Sequence, residues 1–173
     1  MVIFAPSEII ILEPAKKELL ELYGNRLRTR VCGICISDNR LLMVRHRFVG
    51  RENIFWSPPG GGMQFGESAP LAVIRELKEE TGLDVEVAEM LFVSEFIQHP
   101  LHAIEVFFRI KSFSGMLATG TDPEFSEKNQ IILDVRFMRM DEIKALPKEQ
   151  VHRIFQRCET LHDLLEIKGY IGT

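Results

Sequence analysis

The chain has 173 residues and a mass of 19.9 kDa, 46% hydrophobic and 27% charged. That is enough for one domain of about 100–200 residues with its own core, and it excludes a disordered or low-complexity chain. Lys and Arg total 21 against 25 Asp and Glu, and the net charge of −4 argues against a non-specific binder of nucleic acid or of a membrane surface.

Residues 8–12 are apolar enough for a short strand. Pro14 suits the first turn of a helix running to Tyr23 and closed by Gly24. From Thr29 the pattern becomes strand-like: 29–36 and 41–47 flank the polar turn Ser37-Asp38-Asn39-Arg40, which predicts a hairpin, and 53–56 read as a third short strand. Ser57-Pro58-Pro59-Gly60-Gly61-Gly62 is a glycine-rich loop. A helix is expected from Ala69 to Thr81, with Ser68 before it, Pro70 in its first turn and Gly82 as its stop. Strands over 84–95 and 102–111 follow, then the acidic, turn-rich loop 114–128 and a last strand over 131–140. Asp141 can cap a short helix, and 148–167 reads as a final amphipathic helix. Its stripe of Val151, Ile154, Phe155, Cys158, Leu161, Leu164 and Leu165 suits either the domain's own core or a homodimer.

The whole chain reads as one α+β domain, with a common core over about 29–145, an N-terminal extension over 1–28 and the C-terminal helix. Cys32 and Cys35 spell C-x-x-C, but the pair sits in an apolar strand with no further Cys or His at zinc spacing, so it reads as two buried residues. Met1–Glu8 lacks the features of a leader, and no apolar stretch is long enough to span a membrane, so a cytoplasmic location is expected.

The informative segment is Arg75-Glu76-Leu77-Lys78-Glu79-Glu80-Thr81-Gly82. At 100° per residue Glu76, Glu79 and Glu80 share one helix face. Like charges at these spacings cost about 0.2–0.5 kcal/mol per pair. Acids in a last turn face the negative end of the helix dipole at a further 0.3–1 kcal/mol or so. A divalent cation reverses the sign of each of these effects, and carboxylate oxygens are the donors that Mg²⁺ or Mn²⁺ prefers. Arg75 stands four residues before Glu79 and can orient that carboxylate. The glycines just upstream suit a backbone that approaches phosphate closely.

Gly61, five residues, Glu67, seven residues, then Arg75-Glu76-Leu77-Lys78-Glu79-Glu80-Thr81-Gly82-Leu83 resembles the Nudix box, G-x5-E-x7-R-E-U-x-E-E-x-G-U with U aliphatic, and every fixed position is filled. Trp56-Ser57-Pro58-Pro59-Gly60-Gly61 is similar to the family's lead-in and departs from it at Ser57-Pro58. The resemblance implies an α/β/α sandwich with a mixed central sheet, the Nudix helix packed against it, and hydrolysis of a nucleoside diphosphate linked to another moiety. It implies Glu76 and Glu80 as metal ligands, Glu79 as ligand or catalytic carboxylate, Arg75 as the residue orienting it, Glu67 in the metal's outer shell or binding a further ion, and the Gly61 carbonyl as a further ligand. Gly120-Thr121-Asp122-Pro123-Glu124 is similar to a loop that supplies a glutamate base in some members, so Glu124 and Glu127 compete with Glu79 for that role.

Substrate contacts are expected from Gly60, from Arg45 and Arg47 on one strand face, and from Glu105 and Phe107, with the phenyl ring stacking on a base. The reading is a Mg²⁺-dependent pyrophosphohydrolase, Mn²⁺ serving as well, acting on a nucleoside diphosphate derivative. ADP-ribose or a nucleotide sugar stands ahead of a nucleoside triphosphate. A non-catalytic sensor of the same ligands is the alternative from another class, and neither nucleic acid nor membrane is a partner.

Overall fold

A computed structural model describes residues 13–47, 49 and 53–172, so the strand expected over 8–12 lies outside the described residues. Helix α1 (Pro14–Tyr23) begins on its proline and ends where the Gly24 N–H donates to the Leu20 carbonyl at 2.8 Å. Ala15, Leu19 and Tyr23, four residues apart, form its buried face. Strands β1 (Arg26–Ile34), β2 (Ile36–Ser37), β3 (Arg40–Arg47), β4 (Ile54–Ser57) and β5 (Gly60–Gly62) precede helix α2 (Ala69–Thr81). Strands β6 (Asp84–Gln98), β7 (Leu101–Ser114) and β8 (Ile132–Met138), helices α3 (Met140–Lys144) and α4 (Leu161–Glu166), and strand β9 (Gly169–Ile171) complete the order.

The strands form two sheets. One is mixed, in the order β5-β1-β7-β6-β9, with β1 parallel to β7 and β9 parallel to β6. The other is antiparallel, with β3 between β4 and β8 and with β2 at its end. Leu41, Leu42, Met43 and Val44 on β3 are fully buried because both faces of this strand are covered. One core packs Met43, Trp56, Phe92 and Phe107 against the C-terminal segment. The other packs Val31, Leu42, Val44 and Phe108 against Val73 and Leu77 of α2. Cys32 enters the first core and Cys35 the second, so the two thiols face different cores. Burial pushes the Cys35 thiol up to about 12.

Three sequence expectations are corrected. The hairpin of 29–36 with 41–47 shrinks to β2 and β3, where Asp38 and Asn39 both take positive φ, the turn that a tight hairpin favours. Its first arm instead leaves as β1 for the other sheet, where Val31 stands between Gly61 and Val106. Asp141 is the second residue of α3 rather than its cap; Arg139 precedes the helix and its N–H donates to the Glu142 carboxylate.

The helix expected over 148–167 is two 3-10 turns (Lys148–Gln150 and Arg153–Arg157), α4 and the approach to β9. Val151 pairs with Trp56, His152 Nδ1 accepts from Ile154 N at 3.3 Å, and Thr160 Oγ1 accepts from Asp163 N at 3.2 Å, so local caps interrupt the helix. The apolar stripe lies on the first core, with Leu165 partly buried beside it.

Candidate active site

Val73 and Leu77 seat α2 in the second core, and that seating carries the next turns of its face below the surface. Glu76 is 8% exposed and Glu80 4%. Burial, and then the charge of Glu80, push the Glu76 carboxyl up to about 8, against the pull of Arg75.

Arg75 gathers the surrounding acids. Its Nη1 donates to Glu76 Oε1 at 2.8 Å and to Glu79 Oε2 at 3.0 Å. Its Nε and Nη2 form a fork on Glu67, each at 2.9 Å, and Nη2 also reaches the Gly62 carbonyl at 3.0 Å. The Arg75 fork holds the Glu67 carboxyl below the ordinary range. Arg75 thus touches all three of Glu67, Glu76 and Glu79, and its most complete contact is with Glu67.

The glycine strand faces the same carboxylates. A Cβ on Gly61 would stand 2.2 Å from Glu76 Oε2, a closeness only glycine allows. The Gly60 N–H donates to Glu80 Oε2 at 2.8 Å, and His46 Nε2 lies 3.5 Å from Glu80 Oε1. With Arg75 drawing the acids to itself, no three His, Cys, Asp or Glu side chains among the described residues converge as metal ligands in this arrangement. The donor set nevertheless fits a hard divalent cation. Glu76 and Glu80 are buried together beside glycine backbone, and Arg75 and Arg30 together still leave Glu76 with a raised pKa.

The acidic loop is docked, not free. Ala118 N, Gly120 N and Thr121 N donate to the carbonyls of Thr81, Glu80 and Glu79 at 3.0, 2.9 and 3.2 Å, satisfying acceptors that a helix end leaves open. A Cβ on Gly120 would fall 1.8 Å from the Glu79 carbonyl oxygen. This docking brings Asp122 and Glu124 beside the helix acids. The Tyr23 hydroxyl bonds Glu124, Arg28 lies 3.6 Å from the same carboxylate, and the Arg28 guanidinium sits 3.4 Å above the Tyr23 ring. Burial, with the Glu124 charge adding to it, raises the Asp122 carboxyl against the Glu124 N–H that it accepts.

A cavity opens from Glu76, Glu80, Gly60 and Gly61 toward an apolar end lined by Leu19, Phe55, Phe96, Leu101, Ala103 and Ile131. Other expected residues lie elsewhere. Arg45 pairs across from Trp56, on the face turned from the cavity, and Arg47 donates to the Gln130 carbonyl at 2.7 Å. The residue of β3 that lines the cavity is His46, because side chains alternate along a strand. Phe107 is fully buried and stacked on Phe92 with centroids 4.5 Å apart, so no base can reach it. Glu105 is 2% exposed and meets Arg30 and His152 instead of the cavity. Glu127 is exposed on a 3-10 turn whose neighbours Ser126 and Asn129 are tied to Glu18 of α1. His102 lines the cavity and bonds Glu95 at 2.9 Å.

Tyr23, Arg28, Arg30 and His46 were not among the sequence candidates. Only register and the docking of α1 bring them together, and neither has a sequence signature.

A fold of this kind, with buried carboxylates beside a glycine strand, defines a hydrolase of phosphoric anhydrides. The NUDIX domain family profile matches residues 26–157, and the chain belongs to that family, whose members use divalent metal ions. The chain is 34% identical over 116 residues to an ADP-ribose pyrophosphatase of Methanocaldococcus jannaschii, a match that spans 65% of this chain and 68% of the relative. It is 33% identical over 58 residues to an 8-oxo-dGTP diphosphatase of Proteus vulgaris, spanning 34% of this chain and 52% of that one. Among solved structures, a MutT NUDIX hydrolase of Burkholderia pseudomallei shares the fold, with a TM-score of 0.59 and 24% identity over 82% of this chain and 97% of that one. Among the described residues no helix is long and apolar enough to cross a membrane.

Proposed function

We propose that this enzyme cleaves the pyrophosphate of a nucleoside diphosphate linked to another moiety, with ADP-ribose or a nucleotide sugar as the preferred class and Mg²⁺ as the cofactor, Mn²⁺ serving as well. The observation that carries the reading is the burial of Glu76 and Glu80 together at the polar end of a cavity whose far end is apolar. Glu76, Glu80 and the Gly61 carbonyl would hold the cation, which when bound would supply the charge that polarises the anhydride and acidifies water. Arg75 orients Glu67, Glu76 and Glu79 around that charge. In this reading Glu124 takes the proton from water, which its contacts with Tyr23 and Arg28 support, and Glu79 is the competing base. The apolar end can receive the nucleoside, and the relative from Methanocaldococcus jannaschii supports ADP-ribose as the first compound to test.

The test is a panel of ADP-ribose, nucleotide sugars, dinucleotides and nucleoside triphosphates with Mg²⁺, read as released phosphate products. Glu79→Gln and Glu124→Gln are compared at saturating substrate. Turnover of ADP-ribose or a nucleotide sugar above the triphosphates is the expected result. Preference for triphosphates moves the enzyme to the pool-sanitising class, and binding without cleavage makes it a sensor. Full turnover in both variants removes Glu79 and Glu124 from the base role.

A further inference from the structure

Behind the glycine strand Arg30, partly buried at the cavity wall, meets two buried ionisable side chains that this reaction does not use. Glu105 of β7 is 2% exposed, and His152, just before the second 3-10 turn, is 1% exposed. His152 Nε2 lies 2.8 Å from Glu105 Oε2, and Arg30 Nη1 lies 3.4 Å from Glu105 Oε1. Arg30 Nη2 donates to the Gly60 carbonyl at 2.6 Å, and the N–H of the same Gly60 donates to Glu80 Oε2 at 2.8 Å. The contacts run without a break from the C-terminal segment to a carboxylate of α2.

Desolvating such groups costs several kcal/mol per ion, and well-packed apolar residues often serve stability as well. A charged cluster kept in this position therefore calls for a task beyond packing. Burial raises the Glu105 carboxyl, but His152 and Arg30 outweigh it and hold the group below the ordinary range, so the anion that clamps Arg30 is maintained. Gly60 is held at both of its flanking peptides, its carbonyl by Arg30 and its N–H by Glu80.

We propose that Arg30, clamped by Glu105 and through it by His152, is a positioning residue that fixes Gly60 against Glu80 and so sets the protein's affinity for its divalent cation. This rests on the reading that Glu76 and Glu80 hold that cation. Glu105 and His152 lie off the cavity, and Arg30, which lines it, turns its two Nη groups to Glu105 and Gly60.

The experiment uses the whole chain and Mn²⁺. Calorimetric titration without substrate gives the Mn²⁺ affinity of the unaltered protein, of Arg30→Lys and of Glu105→Gln. Hydrolysis is then followed at limiting and at saturating Mn²⁺. Partners behind metal ligands typically govern affinity by about 10–100-fold. The expected result is an Mn²⁺ dissociation constant at least about tenfold higher in both variants, turnover recovering as Mn²⁺ is raised, and substrate KM unchanged. Glu105→Gln leaves Arg30 and His152 without their anion, so its fold is checked by thermal unfolding. If it unfolds, Arg30→Lys carries the test, because that variant keeps the charge beside Glu105 while one ammonium cannot span both Glu105 and the Gly60 carbonyl.

Unchanged Mn²⁺ affinity in a folded variant overturns the proposal. A raised KM at unchanged Mn²⁺ affinity also overturns it, since Arg30 would then be a substrate contact. If the unaltered chain takes up no Mn²⁺, the metal reading falls and this proposal falls with it.

Discussion

Arg75 and Glu67 form a two-pronged ion pair, Nε to Oε1 and Nη2 to Oε2, both at 2.9 Å. The same guanidinium reaches Glu76 and Glu79 through Nη1, so one planar group sets the positions of three carboxylates.

That geometry predicts a large effect from a small change. Arg75→Lys keeps the charge but loses the fork, because an ammonium is a point donor. Turnover is expected to fall about 10–100-fold, in the range seen when groups that orient metal ligands are lost. Steady-state kinetics at saturating Mg²⁺ checks this, and turnover within twofold of the unaltered enzyme refutes it.

The Glu76 carboxyl fixes a pH dependence for the metal-free protein. Its pKa is about 8 in the folded chain, against about 4.5 when unfolded. Between those values the folded state holds the extra proton, so stability falls as pH rises through this window. In EDTA, Tm should drop from pH 5.5 to pH 8.5, and Glu76→Gln should flatten that drop. Mg²⁺ added at pH 8.5 should raise Tm of the unaltered protein more than that of Glu76→Gln.

Docking of the acidic loop depends on Gly120. Gly120→Ala places a methyl where the Glu79 carbonyl oxygen stands, so the loop must leave the end of α2. Turnover is expected to fall at least tenfold while the core stays folded, and proteolytic cleavage within 114–128 should speed up. A variant with normal turnover and normal protease resistance would show that the loop tolerates the displacement.

The apolar end of the cavity should act on binding. Phe96 lines it and packs edge-on against Phe55 with centroids 5.6 Å apart. Phe96→Ala removes contact area felt equally by substrate and transition state, which predicts a KM several-fold higher with kcat little changed. Loss of kcat without a change in KM would place the nucleoside elsewhere.

Much of α2 was legible in the sequence. Ala69 to Thr81 is both the expected and the observed span, because proline, apolar spacing and Gly82 all act locally. The clustering of its acids was legible for the same reason. What sequence could not reveal depends on which strand meets which. The turn at Asp38-Asn39 is local and visible, but β1's departure for β7 is a choice among distant partners. Arg45 and Arg47 were chosen over His46 because alternation defines two faces and does not say which is covered by α2. Phe107 looked available because nothing in its own segment announces that Phe92 and the C-terminal turns cover it. Those turns looked helical because an apolar stripe can be buried as well by short capped pieces as by one helix.

The place of β5 has a consequence for how the enzyme comes into being. Its three glycines join the mixed sheet only through β1, and β1's other neighbour is β7, with Val31 opposite Val106. Loops of such length close slowly relative to local contacts. During synthesis β1 and β5 emerge before the helix acids, whereas β7, the other neighbour of β1, emerges after them. A chain that ends before β7 thus carries every residue of the box while β1, the support of β5, has one edge unpaired.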